Sequence, residues 1–267
     1  MNILVCIKQV PDPTELKADP AKNTLNTDEV PKIINPFDSY ALEAAARIKD
    51  KDPETKIVIV TIGTAGVEKA LKEGLGIAAD QAYFVSDEAF ADSDSLATAY
   101  ILSCAVKKIE ETEGKFNAIF CGKQATDGDS AQVGPQLAEY LGYPLVTYGL
   151  EAFDEGDTLK INKEIDGGIE VIAAQTPCVV TFTKPSWDPR YPTIKRKMAA
   201  NRAQIPTLTG ADFAGLDASA IGAAGSPTKV IKTFVPQRSK SGIKIQEESD
   251  EESAKKLFAL LSDARVI

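Results

Sequence analysis

Between an apolar run, "AIFC" at Ala118 to Cys121, and a helical pattern ending at Leu141 lies "GKQATDGDSAQVGP", Gly122 to Pro135. Its residue types suit the capture of an anion. Free N–H groups and the dipole at a helix start favour a phosphate. Gly122, Gly128 and Gly134 let a backbone come close to a ligand. Lys123 can supply positive charge and Asp127 can accept from ribose hydroxyls, so the loop is an anion site in outline. Asp129 and Gln132 are spaced as a capping box. The same residues also suit a well-capped surface loop that holds nothing. An EF-hand calcium reading of "DGD" fails, because the spacing and the terminal Glu of that loop are missing.

Other chemistries are poorly supplied. The chain has no histidine, which removes Ser/His and Cys/His nucleophilic pairs and the commonest transition-metal ligand. Cys6, Cys104, Cys121 and Cys178 stand singly in apolar settings without metal-ligand spacing, and read as reduced core thiols. A second Gly-rich stretch, "GLGIAA" at Gly74 to Ala79, closes a helical pattern instead of opening one, so it reads as a C-cap and not as a dinucleotide fingerprint. Any redox or group-transfer step must be carried by a cofactor.

The loop has to be placed by alternating elements. Strand patterns at Asn2 to Ile7, Lys56 to Ile62, Ala82 to Val85 and Ala118 to Cys121 alternate with helical patterns. The first helical pattern starts at Asn35, a cap residue, with Pro36 in the first turn and Phe37, Ala41, Leu42, Ala45 and Ile48 at helical spacing. Glu43 and Arg47 form an i,i+4 pair on its outer face. Further helices are expected at Val67 to Ile77, Ser93 to Glu111 and Ala131 to Leu141. This alternation predicts an α/β fold with a doubly wound, mostly parallel sheet, which binds ligands beyond the carboxyl ends of its strands. After Gly149, runs separated by "EGD" and "DGG" predict an antiparallel excursion of two hairpins. Lys184 to Ala200 and Ala211 to Ser226 have the composition of extended arms or loops, and a last amphipathic helix over Glu252 to Ser262 aligns Ala254, Leu257, Phe258 and Leu261. We therefore divide the chain into an α/β body with its hairpin excursion, residues 1–183, and a cationic segment with an extended C-terminal arm, residues 184–267.

Composition sets the outer bounds. With 267 residues, 43% of them hydrophobic, the chain can bury a full core. A net charge of −9 repels a phosphate backbone and argues against nucleic acid as a partner. No apolar run reaches the roughly 20 residues of a membrane span, and the start lacks a secretory leader, so a cytoplasmic location is expected.

"INKEIDGGIEVIAAQTPCVVT", Ile161 to Thr181, resembles the signature of the small (beta) subunit of electron transfer flavoproteins, through Lys163, Asp166, Gly167, Gly168, Glu170, Ile172, Pro177, Val179, Val180 and Thr181. "VCIKQVPD", "NPFD" at Asn35 to Asp38, "GKQATDGDSAQVGP" and "DPRYPTIKRKM" at Asp188 to Met198 are similar to that family too, in its order. The resemblance implies an adenine-nucleotide alpha-hydrolase-like fold and a larger alpha subunit carrying its own FAD. It also implies a nucleotide lying against Cys6, Asn35, Pro36, Phe37, Asp38 and Ile62, and along Gly122, Lys123, Gln124, Ala125, Thr126, Asp127, Gly128, Asp129, Ser130, Ala131, Gln132 and Val133.

Conventional members hold AMP there, whereas electron-bifurcating members hold a second FAD that accepts hydride from NADH. "VPD" and "DGDSAQVGP" resemble the bifurcating type. FAD is therefore the expected cofactor, with AMP as the alternative. Electrons from NADH would divide between ferredoxin and, through the alpha-subunit FAD, an acyl-CoA dehydrogenase reducing an enoyl-CoA. The dehydrogenase would dock on the cationic segment around Arg190, Lys195 and Lys197, with Ile194 as apolar anchor. No catalytic side chain and no metal are expected. A nucleotide-sensing module without redox function is the reading from another class.

Overall fold

The computed structural model describes residues 1–19, 24–26, 30–232, 234 and 242–267. Part of the expected C-terminal arm, residues 233 and 235–241, lies outside them. The expected alternation is present. Strands β1 (Asn2–Cys6), β2 (Lys56–Ile62), β3 (Gln81–Val85), β4 (Ala118–Gly122), β5 (Leu145–Asp154), β6 (Thr158–Ile165), β7 (Gly168–Gln175), β8 (Cys178–Phe182) and β9 (Thr207–Leu208) form one sheet in the order β7-β6-β5-β8-β4-β1-β2-β3-β9. Seven neighbouring strands, β5 through β9 in that order, run parallel, and β6 and β7 add the antiparallel hairpins. The two turns fall at "EGD" and "DGG", where Gly156 and Gly167 adopt φ of 85° and 81°, conformations that glycine reaches without steric cost. Two small ladders lie outside the sheet, Gln9–Pro11 with Lys32–Ile34 and Lys17–Asp19 with Thr24–Asn26.

Helices α1 (Pro36–Lys51), α2 (Glu68–Ile77), α3 (Ser95–Glu113) and α4 (Val133–Leu141) are the crossovers. The alternating sides of the central strands decide which face each helix covers. Ile3, Val5, Ile57 and Ile59 pack with Ala41 and Leu42 of α1 and Leu71 of α2. Leu4, Val58, Val60 and Ile119 pack with Ile101 and Val106 of α3 and Leu137 of α4. Helices thus cover both faces, as a doubly wound sheet requires. Among the described residues, no helix is long and apolar enough to cross a membrane.

Three local expectations are corrected. Glu43 is paired with Arg47 but is buried, not on an outer face, because Arg190 covers it. Gly74 and Gly76 lie inside α2 instead of capping it. A Cβ on Gly74 would come within 2.6 Å of Ile59, and one on Gly76 within 3.3 Å of Pro192, so both permit close packing. The cationic segment is not wholly extended, since Ile194–Arg202 forms helix α5.

The region 211–226 is irregular as expected, yet it is packed down. Phe213 and Ile221 are buried, and the Phe213 ring stacks on Phe90 at 6.2 Å. Helix α6 (Asp250–Asp263) contains no buried residue, and Leu257 and Phe258 on its apolar stripe are exposed.

Candidate functional site

The chain leaves β1 for α1 on one side of the sheet and reaches β4 on the other, so the strand order reverses between β1 and β4. A cavity of about 590 Å³ opens there, at the carboxyl ends of β1, β2 and β4, within the size range of small-molecule sites. It is lined by Cys6, Ile62 and Asp38, and by Gly122, Lys123, Gln124, Ala125, Asp127, Gly128, Asp129, Ser130, Ala131, Gln132 and Val133. The structure thus brings together most of the residues singled out in the sequence.

Asn35, Pro36, Phe37 and Thr126 support this lining from behind. Asn35 stands at the N-cap of α1, but its side chain makes no cap bond. It is fully buried and turned to the loop, donating Nδ2 to the Gln124 carbonyl at 2.8 Å and accepting from the Thr126 N–H at 3.2 Å. Bonding the loop from both sides satisfies the amide, so the capping role is given up. Pro36 opens α1.

The Lys123 ammonium lies over the Phe37 ring, 5.0 Å from its centre, and 5.5 Å from the centre of the Tyr148 ring. Asp38 accepts from the Lys8 N–H at 2.7 Å and the Gly122 N–H at 3.0 Å, tying β1, β4 and α1 together. Burial pushes its pKa up to about 7 against the pull of Asn35 and these two N–H donors. The Cys121 thiol is pushed well above its ordinary value by the adjacent Cys6 thiol and by burial, which keeps it neutral.

The capping box is not formed. Asp129 (φ 49°) and Ala131 (φ 54°) take left-handed conformations, and α4 starts only at Val133 with Gln132 at its N-cap and no side-chain cap. Asp129 instead accepts from Gln124 Nε2 at 2.7 Å, and Gln132 accepts from the Ser95 hydroxyl at 3.0 Å. Alternating left- and right-handed residues before a helix aim successive N–H groups at one point. Among the described residues, the N–H groups of Ser130 to Gly134 have no partner within the chain. Free donors at the start of α4, in a cavity wall, are the arrangement that binds a phosphate.

Residues missed in the sequence form the far wall: Phe90, Leu102, the α3 start at Asp92 to Ser95, Thr98 and Thr228, with Lys8 on the near side. Asp94 caps α3 through the Leu96 and Ala97 N–H groups and accepts from the Thr228 N–H at 2.9 Å. Its cap position in "DSDS", Asp92 to Ser95, has a local signal, but a contact 134 residues away has none. Among the described residues, no group of His, Cys, Asp and Glu is arranged to hold a metal.

The cationic segment is a separate surface. Arg190 is committed inward, with Nε 2.7 Å from Glu43 and an Nη 2.6 Å from Asp50. It therefore fastens the segment to α1. Thr193 caps α5 by accepting from the Arg196 N–H at 3.2 Å, which leaves Ile194 at the first helical position, 81% exposed, with Tyr191, Lys195, Lys197 and Met198 also exposed.

The electron transfer flavoprotein domain family matches residues 22–213. Similar curated proteins include the electron transfer flavoprotein subunit beta of Megasphaera elsdenii, 46% identical over 95% of this chain and 94% of the relative. That of Thermoanaerobacterium thermosaccharolyticum is 44% identical over 91% of each. The caffeyl-CoA reductase–Etf complex subunit CarD of Acetobacterium woodii is 39% identical over 100% of both chains. With the cavity at the strand-order reversal and these likenesses along nearly the whole sequence, the chain belongs to the electron transfer flavoprotein beta-subunit family.

Proposed function

We propose that this chain, paired with an alpha subunit in the cytoplasm, binds FAD in the cavity and takes electrons from NADH. The complex divides them between a low-potential acceptor such as ferredoxin and, through the alpha-subunit FAD, an acyl-CoA dehydrogenase that reduces an enoyl-CoA. The observation that carries this reading is the full-length likeness to a subunit of a caffeyl-CoA reductase–Etf complex. The cavity fits the group. The unpartnered N–H groups at the start of α4 suit the diphosphate, and Gly128 has open space beside it. Cys6, Val60, Ile62, Phe90 and Leu102 make apolar walls beyond, which suit a ring system.

FAD bound there supplies hydride acceptance and single-electron release. The chain's own residues bind and orient. Asn35 holds the phosphate loop in shape, and Asp38 locks the ends of β1 and β4. The buried side chains of Cys6 and Cys121 and the apolar walls keep the local dielectric low, which strengthens every electrostatic contact to the ring.

Purification of the alpha–beta complex and release of its ligands by denaturation tests the reading. Two flavins per alpha–beta pair, with flavin bleaching by NADH, are expected. One flavin together with AMP would replace bifurcation by one-electron shuttling, and a colourless protein without an alpha partner would remove both.

A further inference from the structure

The cavity contains a second cation, Lys8, two residues past the end of β1. Its main chain is fixed from two sides, the N–H by Asp38 at 2.7 Å and the carbonyl by the Asn35 N–H at 2.8 Å. The side chain crosses to the phosphate loop, where Nζ is 2.6 Å from Asp127 Oδ2. Lys123, the other cation of the lining, has its ammonium near the Phe37 and Tyr148 rings, 5.0 Å and 5.5 Å from their centres, and no ion pair across the cavity is found for it among the described residues. The side chains of Lys8 and Asp127 are 52% and 32% exposed, and an ion pair so wet contributes little. A phosphate bears more charge and more acceptor oxygens than a carboxylate, and forms stronger charge-assisted hydrogen bonds.

We infer that Lys8 is the phosphate-binding cation of this cavity and Asp127 its exchangeable counter-ion, released when the phosphate of AMP, or of the AMP half of a dinucleotide, takes the ammonium. The inference rests on the reading that the cavity holds an adenine nucleotide. It reverses the role expected of Asp127. A carboxylate that gripped the ribose would help binding, whereas a counter-ion competes with the incoming phosphate and then repels it.

The test is titration calorimetry on the full-length chain freed of bound nucleotide, with AMP and adenosine as probes. Lys8→Met should weaken AMP about tenfold or more, flatten the salt dependence of its binding, and change adenosine by less than about twofold. Lys8→Arg should retain most of the AMP affinity. Asp127→Asn should leave AMP as tight as in the parent or a few-fold tighter. Unchanged AMP binding in Lys8→Met, or equal losses of AMP and adenosine, would overturn the assignment of Lys8. Weaker AMP binding in Asp127→Asn would overturn the counter-ion role. A parent chain that binds neither probe would overturn the nucleotide reading itself, and this inference with it.

Discussion

Asp38 joins three elements through one carboxyl group, and that position makes it the residue most exposed to a change of pH. Its pKa of about 7 in the fold exceeds the ordinary value of 3.8, chiefly because burial penalises the charged form. The folded state therefore holds a proton that the unfolded chain releases. The associated stability is fully present below about pH 4 and is lost as pH rises towards and through 7. With no histidine in the chain, few other side chains titrate between pH 5 and 8. The thermal midpoint of the parent should fall across that window by an amount equivalent to a few kcal/mol, and that of Asp38→Asn should fall much less. Parallel pH profiles for the two proteins would count against this account.

Two glycines of the same loop should behave oppositely. A Cβ on Gly122 would strike Asp38 and Phe37, so Gly122→Val should destabilise the fold. Gly128 has no atom within 4 Å of a Cβ and no left-handed φ. Gly128→Val should keep stability to within about 0.5 kcal/mol while nucleotide content drops, as measured by melting and by ligand release. The loop was legible as an anion site from its glycines and its place after a strand. The Asn35 tether and the Lys8 bridge were not, because they link positions 89 to 119 residues apart.

Helix α5 shows how a short element is held by its surroundings. Its sequence, "IKRKMAANR", follows a Pro-rich stretch and has no apolar stripe, so the pattern pointed to an arm. Tertiary contacts decide otherwise. Arg196 donates to the Leu75 and Ala79 carbonyls, satisfying the end of α2, while Arg190 grips α1 through Glu43 and Asp50. The outcome is a rigid platform with Ile194 at its tip, and preorganisation of that kind lowers the entropic cost of docking. Ile194→Ala should weaken coupling to an acyl-CoA dehydrogenase by on the order of 1–3 kcal/mol, with flavin content and NADH oxidation by an artificial acceptor nearly unchanged. Neutralising Lys195 and Lys197 should slow association and flatten its dependence on salt. Coupling as efficient as the parent's in Ile194→Ala would exclude docking through this tip. The long crossovers were readable to within a few residues because each carries an apolar face to the sheet, which is the signal periodicity reports.

At the scale of the molecule, the parallel sheet and its hairpins followed from alternation and turn chemistry, whereas β9 did not. "TL" at Thr207 and Leu208 is too short to announce a strand, and only the edge of β3 gives it one. Strand β1, the first to be made, stands inside the sheet, and later strands are laid down on both flanks. During synthesis β3 therefore waits as a bare margin while more than a hundred residues are added on the opposite flank. Its Phe84 and Ser86 N–H groups find partners only when the Pro206 and Leu208 carbonyls arrive. A nascent chain stalled before that point carries nearly all of the cavity wall but an unpaired edge, and adjacent ribosomes on one message would present such edges to one another. Two residues, added late, cover the β3 margin and leave β7 and the much shorter β9 as the outer strands of the sheet.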